Sequence, residues 1–406
     1  MAGPGEGRPR LTRKLAGFGT TIFTEMTLLA AEAGAVNLAQ GFPDFDGPEL
    51  VKRAACRAVE AGQGQYAPSP GAPALRRAVA RARARAAGPD YDPEACVTVG
   101  CGATEMVFAA LLALCDPGDE VVLFEPYYDS YRAAVALAGA TARVVRLAPP
   151  HFGFDPAALA AAFGEKTRAV VLNTPHNPTG KVFSRAELEA VAALCRRHDA
   201  VCVADEVYEH LVYEGEHLPI SALPGMAERT ITVSSMSKTF SLTGWRVGWA
   251  LAPPDLSAAL RCVHQFATFA APTPLQLACA EALEQGEGEI ARLRDTLRAR
   301  RDRLARALAD VGLEPYPVAG AYFICAGFGR YPFADDVDFC RFLTREVGVA
   351  AIPPSAFCEG KRPVDYARFV FCKRDETLRA AAERLARLPE RARSRGAQGG
   401  PKPPGE

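Results

Sequence analysis

With 406 residues, 49% of them apolar and 23% charged, the chain has the size and composition of a globular protein with a large core, divided into a larger and a smaller domain. Its 47 basic residues balance 47 acidic ones, so no electrostatic case exists for binding nucleic acid or an anionic membrane. The N-terminal twenty residues lack an apolar signal core, and no run approaches ~18 uncharged apolar residues, which argues against secretion or a membrane span.

Residues 1–14 and 391–406 are rich in Gly, Pro and Arg and read as disordered tails. Between them, short β-branched runs alternate with Ala-, Leu- and Arg-rich helical patterns. Helices are predicted over 49–61, 72–87, 103–114, 129–138, 155–163 and 184–198, and over 272–308 with a candidate break at Gly286-Glu287-Gly288. Strands are predicted over 96–99, 120–124, 142–147, 168–172, 201–204, 230–234 and 247–251. Ser184 and Glu187 have the spacing of a capping box, and Asp155-Pro156 has the form of a helix start. This alternation predicts an α/β fold: a mostly parallel sheet covered on both faces, forming a large domain over 49–290. Beyond about 290 the pattern becomes α+β, with strand-like runs at 322–325, 349–352 and 368–371. This is the expected smaller domain, 291–390, joined by the segment 15–48.

The twelve cysteines are scattered, several inside hydrophobic runs, and suggest small buried thiols in a reducing cytosol, hence a cytoplasmic location. The six histidines and the cysteines form no cluster of zinc spacing, so no metal is expected.

In such sheets the chemistry lies on loops leaving the carboxyl ends of strands. Lys238 follows the strand 230–234 among Ser235, Ser237 and Thr239, with Gly244 and Arg246 close behind. This suits a lysine that forms a Schiff base with an aldehyde cofactor whose phosphate is held by Ser and Arg. Asp205 ends the apolar strand 201–204, where a carboxylate can pair with a protonated pyridine nitrogen, and Tyr208 lies three residues on. Asn177 sits in the stiff turn from Asn173 to Gly180, within reach of the same ring. The turn Gly100-Cys101-Gly102 opens a helix at Ala103 and Thr104, an anion seat of backbone amides and a hydroxyl. Tyr128 offers a ring for stacking. Each feature also has an ordinary explanation: a polar loop for Lys238, a helix cap for Asp205, turn chemistry for Asn177, a packing turn at Gly100 and a core aromatic at Tyr128.

Taken together and in this order, the motifs resemble those of fold-type I pyridoxal-phosphate enzymes of the class I/II aminotransferase family. The resemblance covers about 15–388 and rests on Asn37–Asp44, Gln65–Gly71, Asn173–Gly180, Asp205–Tyr208, Ser235–Arg246 and Arg368-Phe369. The chain is similar to the kynurenine aminotransferase, glutamine transaminase K and cysteine-conjugate β-lyase branch. It is also similar to actinobacterial N-succinyldiaminopimelate and methionine aminotransferase-like proteins.

The resemblance implies a three-layer fold with a smaller α+β domain and pyridoxal 5′-phosphate as cofactor. Lys238 would carry the Schiff base, Asp205 would pair with the ring nitrogen, Asn177 and Tyr208 would hold the phenolate oxygen, and Tyr128 would stack on the ring. Ala103, Thr104, Ser235, Ser237 and Arg246 would hold the phosphate, with Tyr66 from a second subunit, so a homodimer is implied. Arg368 would bind the α-carboxylate of an amino acid, helped by Gly41 and Asn177. Phe23 and Phe269 would face the substrate side chain, and Ala270 stands where relatives carry histidine. The implied activity is ping-pong transfer of an amino group between an L-amino acid and a 2-oxo acid through pyridoxamine phosphate. A cysteine-conjugate β-lyase using the same lysine is the nearest alternative, and a non-catalytic regulator on the same fold a remote one.

Overall fold

The computed structural model describes residues 12–398 apart from positions 16 and 87. Numbered along the chain, β1 (Val36–Asn37) lies outside the main sheet. The main sheet contains β2 (Val97–Gly100), β3 (Glu120–Glu125), β4 (Thr141–Arg146), β5 (Thr167–Asn173), β6 (Val201–Asp205), β7 (Thr230–Ser235) and β8 (Gly248–Leu251). Their spatial order is β2-β8-β7-β6-β5-β3-β4, parallel throughout except for β8, which runs antiparallel to both neighbours.

Alternating side chains on these strands enter two cores, as a strand's two-residue period requires. Val121, Leu123, Val171, Val203 and Val233 pack with the helices Ala103–Leu114 and Asp129–Ala138. Val122, Phe124, Val170, Leu172 and Cys202 pack on the other face with Pro156–Ala162 and Arg185–His198. The result is a helix–sheet–helix sandwich. The capping box at Ser184 and Glu187 is formed in both directions, and Asp155 caps the amide of Ala157.

A second, three-stranded antiparallel sheet has β10 (Phe323–Gly327) between β9 (Glu314–Pro315) and β12 (Tyr366–Val370). Nearby, β1 pairs in parallel with β11 (Val349–Ala350), tying the N-terminal segment to the C-terminal part of the chain. Their shared core includes Met26, Leu29, Leu304, Phe339, Leu378 and Leu385.

Several expectations need correction. Cys96 closes a short helical turn, Pro93–Cys96, and the strand begins at Val97. The break expected near Gly286 is present: the pattern over 272–308 is two helices, Thr273–Gln285 and Glu287–Asp310. Pro254–Ala267, Ile22–Glu32 and Asp375–Leu385 are helices not singled out by the sequence pattern. Part of each expected tail is ordered structure. Arg13–Leu15 forms a turn tethered by Lys14 Nζ to the Leu137 carbonyl, and Leu388–Gln398 is a helix that buries Leu388 and Ala392. The rest of both tails, 1–11 and 399–406, lies outside the described residues. Nine of the twelve cysteines are buried as anticipated, but Cys56 and Cys262 are exposed and Cys101 is intermediate. Among the described residues, no helix is long and apolar enough to cross a membrane.

Candidate active site

Sheet register determines where the polar groups meet. β5 and β6 pair Asn173 with Asp205; Gly248 of β8 pairs with Ser235 on one side and Gly100 on the other. Because β8 is antiparallel, it starts where its neighbours end, so Arg246, two residues earlier, arrives at the same edge. The approach there is close. A Cβ on Gly248 would stand 2.5 Å from the Ala103 nitrogen.

At this edge lies a cavity of about 410 Å³, a size suited to a small molecule. It brings together Ala103, Thr104, Tyr128, Asn177, Asp205, Tyr208, Ser235, Ser237, Lys238 and Arg246 with Phe23, Gly41 and Arg368. Tyr66 and Phe269 are outside it. Their rings meet edge-to-face at 5.3 Å, and Tyr66 is 84% exposed.

Asp205 is buried, and burial pushes its carboxyl above the ordinary value despite the hydrogen bonds it accepts. Those bonds come from Tyr131 Oη to Oδ2 at 2.6 Å and from the Val207 amide to Oδ1 at 3.3 Å. Its backbone carbonyl accepts from Asn173 Nδ2 at 2.8 Å, while Asn173 Oδ1 accepts the Asn177 amide at 2.7 Å. One asparagine thus links the end of β6 to the turn that carries Asn177.

Lys238 Nζ lies 5.9 Å from the centroid of the Tyr208 ring and 5.6 Å from that of Tyr322. Burial pushes its ammonium down to about 8. Beside it, Ser237 Oγ is buried without a protein partner. Arg246 adopts a left-handed backbone, φ 54°, and donates to the Cys101 carbonyl at 3.3 Å and the Thr243 carbonyl at 3.2 Å. At Gly102, φ +88°, a side chain would collide with that guanidinium. A helix start, a free hydroxyl and an arginine this close fit a phosphate.

Arg368, on β12, is fully buried. It donates to the Ala39 carbonyl at 2.5 Å and to Asn177 Oδ1 at 3.3 Å, leaving Nε without a partner. The rings of Phe323, Phe23 and Phe357 surround it at 4.6, 5.2 and 5.5 Å. Burial pushes its pKa down to about 10. A cation held this way, bonded only to neutral oxygens, suits a carboxylate ligand.

Sequence reasoning missed Tyr131, Asn173, Tyr322 and Phe357. Tyr131 looks like an ordinary packed helical aromatic in the sequence, and nothing local marks it as the partner of Asp205. Tyr322, which donates to the Gly41 carbonyl at 2.6 Å, gave no local signal. Among the described residues, one group of metal-ligating type also forms, Glu206, Glu209 and His217, but the guanidinium of Arg83 is bonded into it at 2.7 Å from Glu206 and 3.4 Å from Glu209.

The sandwich and its edge cavity define a fold-type I pyridoxal-phosphate-dependent transferase. The chain belongs to the class I and II aminotransferase family, whose model matches residues 33–385. It is 47% identical over 390 residues to the probable N-succinyldiaminopimelate aminotransferase of Mycobacterium tuberculosis, covering 93% of this chain and 98% of that one. It is 44% identical over 376 residues to the methionine aminotransferase of Escherichia coli, covering 92% and 97%. The solved M. tuberculosis structure superimposes with a TM-score of 0.90 over 93% of this chain and 100% of that one. For the E. coli structure the TM-score is 0.91, over 94% and 100%. The protein is therefore an aminotransferase that uses pyridoxal 5′-phosphate.

Two predictions concern this site. Only the uncharged amine of Lys238 attacks a carbonyl carbon, so cofactor uptake by apoprotein should accelerate as pH rises through about 8 and level off above it. Stopped-flow absorbance measures this, and a rate insensitive to pH there would contradict the placement of the amine. Tyr131→Phe leaves one Asp205 oxygen without its donor and should lower kcat/KM roughly tenfold with the circular dichroism spectrum unchanged. Unaltered kinetics would show that Asp205 does not depend on Tyr131.

Proposed function

We propose that this aminotransferase takes L-amino acid donors with uncharged side chains and returns the amino group to a 2-oxo acid, donor and acceptor using the same cavity in turn. The charge inventory of the cavity carries the reading: Asp205, Lys238, Arg246 and Arg368 are its charged lining residues. The first three cluster at the strand ends, where the cofactor would be held, and Arg368 suits the carboxylate common to all donors. Phe23, Gln40, Phe42 and Val107 are among the uncharged remainder. The segments Gln65–Gly71 and Phe266–Thr273 also carry no charged residue.

Pyridoxal phosphate, when bound, supplies an electron sink that acidifies the donor's Cα–H. Asp205 would hold the ring nitrogen, Asn177 and Tyr208 the phenolate oxygen, Tyr128 the ring face, and Ala103, Thr104, Ser235, Ser237 and Arg246 the phosphate. Arg368, fixed by Ala39 and Asn177, orients the donor through its carboxylate, with Gly41 beside it. Lys238 Nζ, with a pKa of about 8, can both accept and return the Cα proton near neutral pH. The aromatic walls exclude water from this transfer.

A panel of donors against pyruvate and 2-oxoglutarate tests the proposal. Methionine, leucine and phenylalanine should exceed aspartate, glutamate and N-succinyl-diaminopimelate in kcat/KM by roughly 10–100-fold, the value of an unmet charge contact. Preference for an acidic donor would sink it. Release of pyruvate and ammonia from a cysteine conjugate without an oxo acid would instead favour the lyase reaction.

We also propose that the protein works as a homodimer in the cytoplasm. Tyr66, Phe266 (87% exposed) and Phe269 are exposed and do not line their own cavity, and they would complete a partner's. Sedimentation should give a dimer, and a fully active monomer would refute this part.

A further inference from the structure

Behind the expected phosphate seat, a buried histidine meets a half-buried carboxylate. His264, near the end of the helix Pro254–Ala267, is fully buried. Its Nδ1 lies 2.7 Å from Glu105 Oε1, and its Nε2 lies 2.9 Å from the backbone carbonyl oxygen of Ser69. Thr268 Oγ donates to the same Glu105 oxygen at 2.6 Å, and the Cys101 amide donates to Oε2. Burial pushes the Glu105 carboxyl up, but the bonds from His264, Thr268 and Cys101 outweigh it and hold the group below its ordinary value. Glu105 is therefore a carboxylate. A carbonyl oxygen and a carboxylate can only accept, so each ring nitrogen of His264 faces a hydrogen-bond acceptor.

The position of this pair gives it a task. Glu105 is the third residue of the helix Ala103–Leu114, directly after Ala103 and Thr104. Through Cys101 it also fixes the turn Gly100–Gly102 against which Arg246 rests. On the other side, Ser69 belongs to the loop that carries Tyr66, and Thr268 precedes Phe269, whose ring meets Tyr66. A further bond, Thr273 Oγ to the Gln65 carbonyl at 2.6 Å, closes the same loop. One histidine–carboxylate pair thus fastens three chain segments that are distant in sequence.

We infer that His264, doubly protonated between Glu105 and Ser69, is a positioning residue that sets the anion seat at Gly100–Thr104 and the Tyr66 loop as one unit. The inference rests on the cofactor reading above, and it specifies the phosphate end of the cofactor rather than the ring.

Two variants separate the arms. His264→Asn places its amide near Nδ1 and can keep the Glu105 contact; His264→Gln reaches toward Ser69 and gives up Glu105. Apoprotein of each is titrated with pyridoxal phosphate and, separately, with pyridoxal, following absorbance. Affinity for pyridoxal phosphate should fall at least about tenfold in His264→Gln, while affinity for pyridoxal stays within about threefold. Equal losses for both compounds, or no loss for either, would overturn the inference by showing a general structural role or none. If wild-type protein takes up neither compound, the cofactor reading fails as well, which separates the two failures. Independently of any cofactor, ¹⁵N-histidine NMR of the apoprotein, assigned with His264→Gln, should show both His264 ring nitrogens protonated. A neutral ring would overturn the charged bridge.

Discussion

A buried carboxylate whose hydrogen bonds come only from neutral groups shapes this molecule. Asp205 stands at the end of a central strand, held by a phenol and an amide, and desolvation disfavours its charge. Such a group is tolerable only in a frame stiff enough to keep it aimed. The frame comes from the parallel register that places Asn173 beside it and from the helix that brings Tyr131 over it. The same edge of the sheet receives Lys238 and Arg246 because β7 ends there and β8 begins there.

Arg368 makes the complementary demand from the other side of the cavity. Its hydrogen bonds join three stretches far apart in sequence: β12, the Ala39 region and the turn bearing Asn177. Phe23, Phe323 and Phe357 lower the local dielectric around it, which strengthens any carboxylate contact it makes. Reactive-end and recognition-end charges are thus carried by different sheets, and Asn177 touches the recognition end while lying one turn from Asn173 at the reactive end.

Much of this was legible in the sequence because the key residues interrupt clear patterns. Lys238 and Asp205 each follow a short apolar strand, and a charged residue at such a boundary stands out. Tyr131 does not, since a tyrosine facing the core of an ordinary helix looks like packing. Strand order was hidden as well: β8 sits between β2 and β7, and nothing local to Gly248 announces which neighbours it joins. The helix Leu388–Gln398 was obscured by an Arg-rich composition that resembles a tail, although Leu388 and Ala392 supply a buried stripe. Tyr66 and Phe269 illustrate a different limit. Their placement outside the cavity is a fact of one chain, whereas their implied role requires two.

The backbone at Arg246 holds a conflict between folding and function. A left-handed φ of 54° suits glycine, and for an L-residue with a long side chain it costs about 1–2 kcal/mol. The chain nevertheless places its guanidinium there, against Gly102 and the anion seat. Glycine at 246 would relax the turn but forfeit the charge and the bonds to the Cys101 and Thr243 carbonyls. The strain is kept where the anion seat needs a guanidinium, so the turn is shaped by the ligand the site must hold rather than by the ease of folding it.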